Sequence, residues 1–296
     1  MALASERLAQ PRTAASAEER TGALDGGIKI LAYAVLVFVA FLMFVPFLYS
    51  IGTSLKTTAE ANTLRFSNLF WPENPTSRAY DVIRDTDIGL WFLNSTLVAV
   101  VWVVARAIFG AMAGYAFARM TFPGKNIVFL MILSTLMIPS MVTIIPKFMI
   151  LRELGLLNGY GALTVPFLTD AFGIFLMKQF FESIPKELEE AARVDGASRY
   201  RMFLQIILPN AMPAVTALAI FSFQGSWNAF LEPLIFVSNA DRYTLPLGLA
   251  TLKNSYYTDF PVVMAGAVIT TLPIALFYLF FQRFFIEGST SSGIKG

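Results

Sequence analysis

The polar side chains that interrupt this sequence are few, and their types bound the chemistry it can perform. There is no histidine and no cysteine, which removes imidazole bases, thiolate nucleophiles and the usual zinc and haem ligands. No catalytic set and no metal site is left to assign. Within the apolar stretches the notable side chains are amides: Gln224 and Asn228 lie one helical turn apart, with Ser222, Ser226 and Trp227 beside them. Amides exchange hydrogen bonds with hydroxyls, and an indole packs against the apolar face of a polyhydroxylated ring. The same set also suits the packing of one helix on another, so both readings stand. A second group, Glu187, Glu189, Glu190 and Asp195, is crowded into one polar segment and suits docking better than catalysis.

Those residues have to be positioned by elements that the rest of the chain specifies. Of the 296 residues, 56% are hydrophobic and 14% charged, with a mean hydropathy of +0.63; a soluble domain carries roughly a quarter charged residues. The chain therefore belongs in a lipid bilayer. A net charge of +2 and the lack of a long basic block argue against a nucleic-acid partner. Six apolar runs, 30–51, 91–117, 127–146, 163–180, 211–231 and 262–284, approach the roughly 20 residues that cross a membrane. Backbone groups in lipid must be satisfied within their own segment, so the runs predict helices. The expectation is an all-α membrane protein with six transmembrane helices.

Of the 22 Lys and Arg residues, thirteen lie on the side of the termini and eight on the other, four of them in the long loop after the first run. The bias predicts cytoplasmic termini. Residues 1–28, rich in Ala, Ser, Arg and Glu, are expected to form a disordered tail. They are not expected to be a cleaved signal peptide, because no small-x-small site follows the first run.

The polar interruption 183–209 contains "EEAARVDGASRYRMFLQIILP" (189–209). Pro185 suits the first turn of a helix, and the three glutamates follow near its positive end. Leu188, Ala191, Ala192 and Asp195 are spaced to share one face, where small side chains let another surface come close. Glu189 points to a different side from Glu190. Gly196 sits where a helix end takes a left-handed residue, and Ser198 can cap a second helix through Tyr200, Phe203, Ile206 and Ile207, which Pro209 ends. The unit predicted is an L-shaped pair of short helices on the cytoplasmic side.

Glu190, Ala191, Ala192, Gly196, Ile206, Leu208 and Pro209 also fit the pattern E-A-A-x3-G-x9-I-x-L-P. With "YAFARMTFPGK" (115–125), "WNAFLEPLIFV" (227–237), "TLPLGLA" (244–250) and "LFYLFFQRFFIEGSTSSGIKG" (276–296), the chain resembles the permease subunits of carbohydrate ABC importers. Specifically, it resembles the six-helix permease of maltose transporters, and the resemblance covers nearly everything after residue 30. It implies the type I importer permease fold, with a permease domain over 29–287, a coupling loop at 183–209 and a cytoplasmic C-terminal tail at 288–296. It further implies a second permease subunit in a heterodimer, two ATPase subunits, an extracytoplasmic sugar-binding protein and a bacterial cytoplasmic (inner) membrane. No G-x-x-x-x-G-K-[ST] occurs, so the resemblance puts ATP and Mg on the partner ATPases, with no cofactor on this chain.

By the same resemblance, Leu188, Glu190, Ala191, Ala192, Asp195, Gly196, Ile206, Leu208 and Pro209 serve ATPase coupling, with Glu190 facing a basic group. The tail Gly288, Ser289, Thr290, Ser291, Ser292, Gly293, Ile294, Lys295 and Gly296 inserts between the ATPases; Ser291 and Ser292 depart from the usual small Ala or Gly. The outer loop residues Asn254, Tyr256 and Tyr257 reach the binding protein. Gln224, Trp227 and Asn228 are candidates for the translocation path, although in maltose-type complexes the other permease subunit holds most of the sugar.

Arg106, the one strong charge inside a run, lies nearer the cytoplasmic end and is expected to snorkel to the headgroups. Pro139, Pro166 and Pro273 are expected to kink helices. An importer of the same type for glycerol 3-phosphate or another polyol derivative is the alternative. A secondary transporter fits less well, since it needs intramembrane carboxylates or histidines and the runs carry almost none.

Overall fold

The computed structural model describes residues 13–63, 65–252 and 259–292, with side chains described between residues 27 and 281 of those stretches. Helices α1 (Thr13–Ser54), α2 (Thr58–Ala61), α3 (Arg78–Arg84), α4 (Ile88–Arg119), α5 (Lys125–Ser134), α6 (Ile144–Glu153), α7 (Tyr160–Thr164) and α8 (Ala171–Ser183) form the first part. They are followed by α9 (Glu187–Val194), α10 (Arg199–Met202), α11 (Leu208–Asn210), α12 (Met212–Trp227), α13 (Leu231–Phe236), α14 (Leu245–Thr251) and α15 (Phe260–Ser292). Short 3-10 turns and one π turn join several of them, and no strand occurs among the described residues.

Four stretches are long and apolar enough to cross a membrane as they stand: Gly27–Ser54, Ile88–Arg119, Tyr160–Ser183 and Phe260–Phe281. Two bent pairs complete the six expected spans. Lys125–Met137 and Ser140–Glu153 meet at 101°, and Arg199–Asn210 and Met212–Trp227 at 75°. The third expected span, 127–146, is therefore broken and not merely kinked. Pro139 has no amide to donate and forces the residue before it out of the helical region; Ile138 accordingly takes φ −88 and ψ 116. Pro166 sits in a 3-10 turn, and Pro273 lies inside a continuous α15.

Two boundaries differ from expectation. Helix α1 begins at Thr13, inside the segment 1–28 read as a disordered tail. Residues such as Ala, Glu and Arg favour helix, and extension from an existing helix avoids the cost of a new nucleus. At the other end, the backbone of α15 runs on to Ser292, so the stretch 288–292 continues a helix.

The core is built on α4, which packs against α8 and α12. Gly110 and Gly114 give α4 a face without side chains. A Cβ on Gly114 would lie 2.6 Å from Met177 Cβ and 2.9 Å from the Lys178 amide nitrogen, and Gly110 faces the backbone of Gly173. Close approach of this kind is how helices gain contact where surrounding lipid is as apolar as they are. Below it, Tyr115, Met177, Phe181, Ile207, Ala211 and Leu218 form one buried cluster. Above it, Trp102 stacks on Phe167 at 4.4 Å and donates its indole N–H to the Leu163 carbonyl at 2.7 Å.

Arg106 corrects an expectation. It does not snorkel: its Nη1 lies 2.9 Å from Asp170 Oδ2, its Nε donates to the Phe167 carbonyl at 2.9 Å, and its guanidinium covers the Trp102 ring. Asp170 also caps α8, with Oδ1 accepting from the Gly173 amide at 2.8 Å. The partner is far away in sequence, itself a charge inside the apolar run 163–180, where nothing in the local pattern pairs the two.

The segment after α1 folds back as a cap. The Thr76 amide donates to the Leu55 carbonyl, Ser54 and Tyr80 share a 2.8 Å hydrogen bond, and Lys56 is buried with its Nζ donating to the Leu69 carbonyl. Burial lowers the Lys56 pKa below its ordinary value, opposed by the carboxylate of Glu60.

The α4–α8 contact generates a stability prediction. Gly114→Ala places a methyl against backbone and Met177, so it should destabilise the isolated subunit by about 1–3 kcal/mol. Gly89→Ala, which meets nothing within 4 Å, should change stability by less than about 0.5 kcal/mol. Unfolding of both variants in detergent checks the contrast.

Candidate functional site

The polar segment between α8 and α12 folds as its caps dictate. The chain leaves helix at Ile184 (φ −73, ψ 131) and re-enters it after Pro185, with Glu187, Glu189 and Glu190 in the first turn of α9. At the other end the Gly196 amide donates to the Arg193 carbonyl at 3.1 Å and the Ala197 amide to the Ala192 carbonyl at 2.9 Å. This double closure requires a left-handed residue, and Gly196 has φ +76. Ser198 then caps the next helix by accepting from the Arg201 amide.

Which face of α9 looks outward differs in one respect from expectation. Leu188, Glu190, Ala191, Asp195 and Gly196 are exposed, as is Val194, so they remain open to a partner. Ala192, expected on that face, is buried. It turns inward with Glu189, three residues before it on the same side of the helix. The Glu189 carboxylate Oε1 lies 2.7 Å from Arg119 Nε, both side chains almost fully enclosed. The contact is an ion pair without hydrogen-bond alignment; Arg119 makes its hydrogen bond to the Ile184 carbonyl instead. Nothing in the local sequence pairs Arg119 with Glu189, because the two are brought together only by the packing of α4 against α8.

Beyond α10, Phe203–Ile207 form a π turn leading into α11. The helix ends at Asn210, one residue past the expected Pro209. The wider turn upstream makes room for its ring, and Asn210 Nδ2 donates to the Ile206 carbonyl at 2.7 Å. The chain bends at the buried Ala211. Ile206 and Leu208 are half-buried and pack toward the inner cluster, and Pro209 is exposed.

The three candidates for the path separate. Gln224 and Asn228 are exposed, and Gln224 lines an apolar groove of about 590 Å³ whose walls include Phe47, Ser50, Phe223 and Thr271. Trp227 is a core residue, 1% exposed. Its indole donates to the Thr270 carbonyl at 3.0 Å and its ring packs on Phe92 and Phe223, so no ring face is left for a ligand. Asn254, Tyr256 and Tyr257 lie outside the described residues. The root of their loop is held at Asp259, which pairs with Arg78 at 2.7 Å. Of the tail, Gly293, Ile294, Lys295 and Gly296 also lie outside the described residues, as do the side chains from Gly288 to Ser292.

The glycine closure can be tested directly. Gly196→Val forces a β-branched side chain into the left-handed region at a cost of about 1–2 kcal/mol and should open the loop to trypsin at Arg193, Arg199 and Arg201. Gly196→Asn, which tolerates that conformation, should be cleaved at nearly the wild-type rate.

Comparison with known proteins gives this geometry its context. The family described as binding-protein-dependent transport system inner membrane component matches residues 106–287. An arabinooligosaccharides transport system permease of Halalkalibacterium halodurans is 38% identical over 262 residues, 88% of this chain and 94% of that protein. A diacetylchitobiose uptake system permease of Streptomyces coelicolor is 35% identical over 287 residues, 95% and 91% of the two chains. Among solved structures, a bacterial ABC transporter involved in the import of alginate superposes with a TM-score of 0.78 at 24% identity, covering 88% of this chain and 97% of the other. The chain belongs to the binding-protein-dependent transport system inner membrane components, as a multi-pass permease subunit of an ABC importer and not an enzyme.

Proposed function

We propose that this subunit forms half of the translocation path of an ATP-driven importer of neutral oligosaccharides and takes its power stroke through α9. The observation that carries the coupling role is the exposed face of Leu188, Glu190, Ala191, Val194 and Asp195 on a helix whose end is fixed by Gly196. Small and apolar side chains there permit a close fit in a cleft, and an exposed pair made by Glu190 contributes only about 0–1 kcal/mol. Shape therefore sets the docking. The partners are two ATPase subunits, which hold ATP and Mg, a second and different permease subunit, and an extracytoplasmic binding protein. Both termini face the cytoplasm of a bacterium.

The substrate class is supported by relatives named for arabinooligosaccharides, diacetylchitobiose and lactose. It also agrees with the neutral amides of Gln224 and Asn228 on an exposed surface, and with an Arg106 already neutralised by Asp170. A second reading, a glycerol conjugate or polyol derivative, has the support of a sulfoquinovosyl glycerol permease from Agrobacterium fabrum, 31% identical over 85% of this chain.

Reconstitution of the chain with its ATPase, second permease and binding protein should give ATP-dependent uptake of a labelled oligosaccharide, and the isolated subunit should show no ATP turnover. Uptake confined to anionic glycerol conjugates would favour the second reading. Gly196→Val should lower uptake by about fivefold or more and Glu190→Ala by a smaller factor, up to about fivefold, at matched membrane abundance; wild-type uptake by both would remove the coupling role. For orientation, Ser67→Cys should label from outside intact cells and Ser198→Cys should not.

A further inference from the structure

On the reading that α9 docks the ATPase, we infer that the ion pair Arg119–Glu189 is the positioning element that makes α9 move with α4. Between α8 and α9 the chain is extended at Ile184 and turned by Pro185, a joint that by itself lets α9 swing. Arg119 closes that joint. Its guanidinium reaches the Glu189 carboxylate at 2.7 Å on one side and the Ile184 carbonyl on the other, so one side chain of a membrane helix holds both arms of the elbow.

The grip has a counterpart at the far end of the same two helices. Arg106 holds Asp170 and the Phe167 carbonyl at the start of α8. Arg106 and Arg119 are thirteen residues apart on α4, about 20 Å along its axis. Between them Gly110 and Gly114 meet Gly173 and Met177 with no room for a Cβ on Gly114. Helices pinned at both ends and in van der Waals contact between cannot slide past each other without separating a buried charge pair. A displacement of α9 is therefore delivered to α4 as motion of one body. Glu190 faces the partner, and Glu189, its neighbour, faces the load.

The test uses the assembled importer in vesicles and reads sugar transported per ATP hydrolysed, with co-purification of the ATPase measured alongside. Glu189→Gln and Arg119→Gln should keep the ATPase bound and hydrolysing, while the transport-to-hydrolysis ratio falls by about tenfold or more. The exchanged pair Arg119→Glu/Glu189→Arg should recover a ratio above either single variant. The apolar pair Arg119→Met/Glu189→Leu avoids leaving a lone buried charge and is tolerated by folding. It should assemble yet remain uncoupled, which keeps the inference testable if the single variants fail to fold.

A wild-type ratio in the apolar pair would assign transmission to packing and overturn the inference. An exchanged pair no better than the single variants would do the same. Failure of the docking reading looks different: Gly196→Val and Glu190→Ala would then leave both ATPase binding and uptake intact in the same assay.

Discussion

A guanidinium enclosed in a membrane bundle is tolerable only with its counter-ion beside it, and that constraint fixes α4 against α8. Arg106 and Arg119 are both enclosed, and each finds a carboxylate and a backbone carbonyl on the neighbouring chain segment. Removing one member of such a pair is costly because the survivor stays buried and uncompensated. The ion pairs in turn demand that the two helix axes run close. Gly110, Gly114 and Gly173 supply that closeness by presenting backbone where other helices present side chains. Charge and steric smallness are thus one device here, since neither works without the other. Around it the aromatic clusters fill what the glycines leave open, with Tyr115 and Phe181 edge to face at the end near α9 and Trp102 stacked on Phe167 at the other.

The importer chemistry is consequently mechanical. No side chain needs to break a covalent bond; what matters is the stiffness of the path from the loop between α8 and α12 into the bundle. In that respect the division of labour in the first turn of α9 is informative. Glu189 and Glu190 are adjacent and chemically identical, yet the helical rotation between them sends one into an enclosed ionic contact and the other into solvent. Identity of residue type says little about role where the period of the helix decides which face a group occupies.

That period explains what could be read from the sequence. Apolar run length placed four spanning helices and, at the other two positions, a bent helix pair each, and the caps at Gly196 and Ser198 were legible because they depend on residues within one turn. The break at Pro139 was visible as a residue but not as a 101° bend, since the angle is set by what the second half packs against, around Leu151 and Phe148. The partners of Arg106 and Arg119 were not legible at all. Each is more than sixty residues away, and one sequence carries no trace of which carboxylate a distant arginine will meet. Trp227 misled for a related reason: an indole beside amides suits a ligand or a core equally, and only the carbonyl of Thr270 decides.

The bend at Ile138 and Pro139 has a consequence for the peptide groups around it. About thirteen residues of helix, roughly 20 Å, precede it, so the interruption falls within the depth of the hydrocarbon. Unpaired peptide groups are not tolerated against acyl chains. The bend answers that demand with its own turns, the Ile138 amide donating to the Thr135 carbonyl at 3.2 Å and the Val142 amide to the Pro139 carbonyl at 3.0 Å, while Met137 and Met141 stay exposed beside it.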